Sequence, residues 1–94
     1  MSTIRITRRH QKSMAQARKA VEQVAKSIGK KFDVTYAWEG DTLHFERSGV
    51  NGHIALAKGT VTVTVALGFL LFAIRGPIEA EIERRLDEQF GPKD

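Results

Sequence analysis

Between Phe32 and Leu67 apolar side chains recur at every second position, and three glycine-bearing turns divide the run. A period of two sends alternate side chains to opposite faces of a strand. Phe32, Val34, Tyr36 and Trp38 therefore share a face. Gly40-Asp41 follows, a two-residue hairpin turn with glycine first, as a type II′ turn prefers. It pairs Glu39 with Thr42, Trp38 with Leu43, Tyr36 with Phe45 and Val34 with Arg47, so apolar meets apolar. The next turn falls within Gly49-Val50-Asn51-Gly52, as a two-residue Asn-Gly turn or as a four-residue loop. Those registers differ by two residues, and both keep Ile54 and Leu56 on the apolar face. Lys58-Gly59 then pairs Leu56 with Val61 and Ile54 with Val63, and Val65 and Leu67 continue the face. Three linked hairpins agree on one greasy side, and that side demands a cover.

The flanking segments supply it. Ile4 and Ile6 alternate with Arg5 and Thr7 in a short opening strand. Ser13 caps a helix to about Ile28, with Met14, Ala17, Val21, Val24, Ala25 and Ile28 on one stripe. Gly29 stands where a left-handed C-terminal cap is expected. After Gly68 the pattern turns helical. Phe69 to Ile74 is continuously apolar, more than one helix face can bury. Core burial on the small sheet is the default reading, and contact with a hydrophobic surface or a second chain is the alternative. Pro77 either kinks one long helix or starts a second. Ile78, Ile82, Leu86 and Phe90 recur every four residues, and Glu79 and Glu81 suit the positive end of a helix dipole starting at Pro77. The expected fold is one α+β domain over residues 1–94, of order β-α-β-β-β-β-α. Its five-stranded antiparallel sheet has order 2-3-4-5-1, with two helices packed on one face.

Charge is unevenly placed in these 94 residues of net charge +4. Residues 1–31 carry nine Lys or Arg against the single acid Glu22, while residues 77–94 carry six acids against three bases. The basic end suits either an anionic partner or the acidic helix of the same or a neighbouring chain. The chain has no cysteine, which removes disulfides and thiolate chemistry and suits a reducing compartment. No signal peptide is expected at the N-terminus. The most apolar run, Val65 to Ile74, is half the roughly 20 residues that a membrane span requires.

Catalytic constellations are not evident. The serines lack a nucleophile-elbow context, and Gly49 and Gly52 sit in a hairpin and not before a helix N-terminus. His44 and His53 project from the non-core face with Glu46 nearby, yet no third strong ligand accompanies them, so surface histidines are the plainer reading. No catalytic, cofactor-binding or metal-binding residue is assigned. His10 follows the first strand among Arg8, Arg9 and Lys12 as part of a basic turn. That basic run could grip phosphates, but no nucleic-acid module is present, and Tyr36 and Trp38 on the core face would not stack on bases. Arg47 and Lys58 point to the helix-covered face from strand ends, where a salt bridge to the acidic helix is the expected job. The outer face carries Thr35, Ala37, Thr42, Ala55, Ala57, Thr62, Thr64 and Ala66, small or β-branched with few charges. We read it, with His44, as a surface for a second sheet in a homodimer; a solvated threonine face is the alternative.

The whole chain resembles a bacterial family named for the polyhydroxyalkanoic acid system, whose members are granule-associated or regulatory proteins. The likeness rests on the opening strand ending in His10, the Trp38-Glu39-Gly40-Asp41 turn, and Phe45-Glu46-Arg47-Ser48-Gly49-Val50-Asn51-Gly52. Leu67-Gly68 before the apolar helix and Ile82 to Leu86-Asp87-Glu88 complete it. The resemblance implies a non-enzymatic, cytoplasmic accessory protein of polyester storage, without a cofactor, that acts at the granule or on its coat proteins. Arg5, Arg8, Arg9, His10 and Lys12, together with Phe69, Leu70 and Phe72, are the expected partner contacts. Nucleic-acid or regulatory binding through the basic N-terminus and a hydroxyacyl-sized cavity between sheet and helices are the alternatives.

Overall fold

A computed structural model describes residues 2–91, apart from the side chains of Ser2 and Leu70. Its elements run β1 (Ser2–Arg9), α1 (Met14–Phe32), β2 (Thr35–Glu39), β3 (Thr42–Arg47), β4 (Val50–Ala57), β5 (Thr60–Leu67), a 3-10 segment (Phe69–Ile74) and α2 (Arg75–Phe90). The sheet order is β1-β5-β4-β3-β2, antiparallel throughout. This is the architecture that the periodicity dictates.

The first hairpin has the expected register, with Tyr36 opposite Phe45 and Trp38 opposite Leu43. Gly40 has φ 62° while Asp41 stays out of the positive-φ region, which is the type II′ pattern. The third hairpin also agrees, pairing Leu56 with Val61 around Lys58-Gly59. The second does not. Arg47 pairs with Val50, so the turn is Ser48-Gly49, with Gly49 at φ 83°, and β4 begins where a loop was expected. The slip is an even number of residues, so Ile54 and Leu56 keep their inward orientation. Gly52 is therefore a strand residue opposite Phe45. A Cβ there would stand 2.6 Å from Phe45 Cζ and 2.7 Å from the Thr64 carbonyl oxygen. The missing side chain is the seat of the Phe45 ring.

Ser13 caps α1 as expected. Its hydroxyl accepts from Gln16 N–H at 3.2 Å, and the Gln16 side chain accepts from Ser13 N–H at 3.2 Å, a complete capping box. The helix does not stop at Gly29. It runs to Phe32, and the left-handed residue is Asp33 at φ 59°. Gly29 serves a close approach instead, since a Cβ would lie 3.0 Å from the Val34 carbonyl oxygen as the chain returns into β2. Pro77 lies in the first turn of α2, where its missing N–H has no helical acceptor to lose. It neither kinks a long helix nor occupies the first position.

Both helices cover one face. Ile4, Leu43, Phe45, Ile54, Val61, Val63 and Val65 from the sheet meet Val21, Val24, Ile28, Ile82 and Leu86 from the helices, all almost wholly buried. Each such side chain contributes about 1.5–3 kcal/mol by leaving water. Among the described residues no element lies over the other face of the sheet.

Two ends of the sheet differ in character. One gathers the start of β1, the end of β5, the Ser48-Gly49 turn and the 3-10 segment, and Gly68 N–H donates to the Gly49 carbonyl at 2.8 Å. The opposite end gathers Gly40-Asp41, Lys58-Gly59 and His10, whose N–H donates to the Gly59 carbonyl at 3.0 Å.

Candidate functional site

The 3-10 segment exposes the large hydrophobic side chains. Phe69 is 87% exposed and Phe72 62% exposed. Leu71 and Ile74 turn inward and pack against the core, and Leu71 lies so close over Gly49 that a Cβ there would be 2.9 Å from its Cδ1. The short helix is thus pinned from beneath by two side chains while two phenylalanines face out. Continuous hydrophobicity exceeds what one side of a short helix can bury, and the surplus stands in water. The side chain of Leu70, also an expected contact, lies outside the described residues.

The expected basic contacts do not gather around these rings. Arg5 and Arg9 are exposed on the uncovered face of β1. Arg8 shares the inward parity of Ile4 and Ile6 and is 5% exposed. Its guanidinium lies 3.3 Å from Asp87 and 3.7 Å from Glu83 on α2. That charge is paired within the molecule through Nη2, while the buried Nε has no hydrogen-bond partner among the described residues. His10 packs against Phe90 with ring centroids 5.2 Å apart, and its Nδ1 accepts from Lys12 N–H at 3.1 Å. Lys12 is exposed at the start of α1. His10 and Lys12 lie at the Gly59 end, while Phe69 and Phe72 lie at the Gly49 end. The eight residues of β1 separate the two by roughly 25 Å. His10 and Lys12 are therefore at the end opposite the two rings, and Arg5 lies between on β1.

The basic-to-acidic match along the chain is partly internal. Glu81, 4% exposed on α2, receives Arg85 Nε at 2.7 Å, Arg84 Nη2 at 2.8 Å and Lys31 Nζ at 3.2 Å. The hydrogen bond from Arg85 first, then those from Arg84 and Lys31, outweigh burial and hold its carboxyl down at about 2. Glu81 thus clamps the C-terminal end of α1 to α2 and does not serve the helix dipole. Glu22, the one acid of the basic third, is spent similarly. It accepts from Trp38 Nε1 at 2.6 Å and from the Tyr36 hydroxyl at 3.4 Å, while Arg18 lies 4.0 Å above the Trp38 ring. Burial, then the Glu22 charge, pushes the Tyr36 phenol up from its ordinary value. Arg47 donates to the Phe32 carbonyl at 2.8 Å, closing the C-terminus of α1, and is not bridged to α2. Lys58 is exposed in its turn.

Thr35, Ala37, His44, Ala55, Thr62 and Thr64, the expected dimer residues, all lie on the uncovered face. His44 and His53 are direct cross-strand partners with ring centroids 6.0 Å apart. Among the described residues no three His, Asp or Glu side chains converge to hold a metal ion. Nor is any helix there long and apolar enough to cross a membrane. A shallow depression on the outer face is lined by Thr35, Ala37, His44, Glu46 and Asn51. Others lie along α1 beside Lys19 and Lys26 and beside the Ser48-Gly49 turn. These three depressions lie outside the buried cluster between sheet and helices.

Of the comparisons with known proteins, one finds a match, and it is to a family. The family described as "Putative polyhydroxyalkanoic acid system protein" matches residues 4–90, and the chain belongs to it. No curated protein and no solved structure matches it significantly.

Proposed function

We propose that this protein is a non-enzymatic accessory of polyhydroxyalkanoate storage that seats Phe69 and Phe72 on the cytoplasmic granule surface or its coat proteins. The exposure of these two rings, at 87% and 62%, carries the reading. Family membership supplies the polyester context. Exposed aromatic side chains cost free energy in water and regain it on an apolar surface, about 25 cal/mol for each Å² covered. Because Leu71 and Ile74 anchor the segment, little backbone ordering is needed at contact.

Purified protein should co-sediment with polyhydroxyalkanoate particles at low and at high salt, as apolar contact is not screened. The Phe69→Ser/Phe72→Ser variant should stay in the supernatant while keeping the parent's thermal midpoint. Parent protein in the supernatant at both salt concentrations would end this reading.

A second reading has its own observation. Lys12, just before α1, and Lys19 and Lys26 along it are exposed at seven-residue intervals, and among the described residues none of the three forms an ion pair. Such a stripe suits a polyanion, and nucleic-acid binding through it would weaken steeply with salt. An unretarded nucleic-acid band at low salt excludes it.

A further inference from the structure

We infer that the uncovered sheet face binds a second copy of this chain, with the twofold axis running along the strands near β4. The sequence pattern suggests a sheet-to-sheet dimer; the structure adds how the two sheets are oriented. Eighteen strand positions point outward, and only Arg5, Arg9, Glu39 and Glu46 among them are charged. None of the four lies on β4 or β5. The middle of the face is Thr, Ala, Asn and His, and the charges form its rim. A charge-poor centre with a charged margin is the anatomy of an interface.

The rim is also polarised. Both arginines are on β1, at one edge of the sheet; the glutamates are on β2 and β3, at the other. Two sheets can face each other about a twofold in only two simple ways. An axis across the strands lays β1 over β1 and sets arginine against arginine. An axis along the strands, through the central β4, lays β1 over the other copy's β2 and beside its β3. The arginine rim then faces the glutamate rim twice over, and like charges are kept apart. Arg5 lies over the other copy's Ala37, one row from Glu39 on β2 and one row from Glu46 on β3. Row by row, Arg5, Thr64, His53, His44 and Ala37 lie side by side across the sheet, which puts His53 beside the axis.

The area suffices. The strands hold 35 residues, each covering roughly 16 Å² of sheet plane at the spacing of strands and residues. Each copy thus offers about 550 Å², and the pair reaches about 1,100 Å² before side-chain relief is added, near the lower end of specific interfaces.

The test uses the full chain in solution. Sedimentation should show a dimer for the parent at about 100 μM. Arg5→Glu/Arg9→Glu should weaken it at least roughly tenfold, and adding Glu39→Arg/Glu46→Arg to the same chain should restore it to within about threefold. All four side chains are solvent-exposed, and circular dichroism checks that each variant is folded. The chain lacks cysteine, so His53→Cys introduces a single thiol. A short bis-maleimide should join two copies through position 53 and not through Thr7→Cys on β1. A monomeric parent overturns the inference. So does a dimer indifferent to both charge changes, or one that crosslinks through position 7 and not 53, the signature of the crossed axis or of another face.

Discussion

At the scale of single residues, two buried charges decide how the helices lock down. Arg8 and Glu81 are each almost wholly enclosed, and each is paired by groups from α2 or α1. An unpaired charge at either place would cost several kcal/mol, so truncating one partner hurts more than the pair itself contributes. Glu81 gives the clearer measurement. Its carboxyl falls from an ordinary 4.5 to about 2 in the folded protein. A depressed folded value means that the unfolded chain takes up its proton first as pH falls. The stabilisation is therefore complete above about pH 4.5 and disappears as pH drops toward 2. Its size is on the order of 3 kcal/mol. Urea unfolding of the parent and of Glu81→Gln should differ by that amount at pH 7, and the gap should narrow through this window. A gap unchanged down to pH 2 would show that Glu81 is not clamped as described. Both positions were marked in the sequence. Arg8 continues the alternation of Ile4 and Ile6, and Glu81 falls three residues after Ile78 on the buried stripe. Reading residue type before position hides such residues, because a charged side chain is assumed to be outside.

At the scale of elements, the legible parts were those where two constraints coincide. The first and third hairpins have a turn glycine and a flanking alternation that admit one register. The middle hairpin has Gly49, Asn51 and Gly52 within four residues, and Asn-Gly is the stronger local turn signal. What overrides it is tertiary. The Phe45 ring needs the space above Gly52, and only the Ser48-Gly49 register sets the two opposite. Gly29 misleads for the same reason: it looks like a helix stop and works as a place where β2 comes close. The apolar tip was legible as surplus hydrophobicity, but which rings stay outside depends on Leu71 meeting Gly49, a contact between distant segments. Gly52→Ala tests the register. The new methyl would collide with ring and backbone, and the overpacking should cost about 1–3 kcal/mol. In a domain of this size each kcal/mol lowers the thermal midpoint by about 4–8 °C. An unchanged midpoint would mean that Gly52 does not face the Phe45 ring.

At the scale of the whole molecule, the two proposed surfaces constrain each other. A twofold along the strands leaves the strand direction unchanged, so both copies present their Gly49 ends the same way. Phe69 and Phe72 of each copy would then face one flat surface together, whereas an axis across the strands would point the two tips apart. Once one tip is seated, the second binds at high effective concentration, and avidity can exceed single-site affinity by about 10²–10⁴. The dimer-weakening Arg5→Glu/Arg9→Glu chain retains both phenylalanines. It should still sediment with polyhydroxyalkanoate particles at high protein concentration, but half-saturation should require at least roughly threefold more protein, rising toward roughly 100-fold if dimerisation is lost altogether. The fourfold charge-swapped chain, Arg5→Glu/Arg9→Glu/Glu39→Arg/Glu46→Arg, should return half-saturation close to the parent's. Recovery in that chain separates avidity from a direct attraction of Arg5 and Arg9 to the particle, since the swap leaves both positions acidic. Equal binding by parent and dimer-weakened protein would mean that one tip is enough and that the common direction of the two ends plays no part in docking.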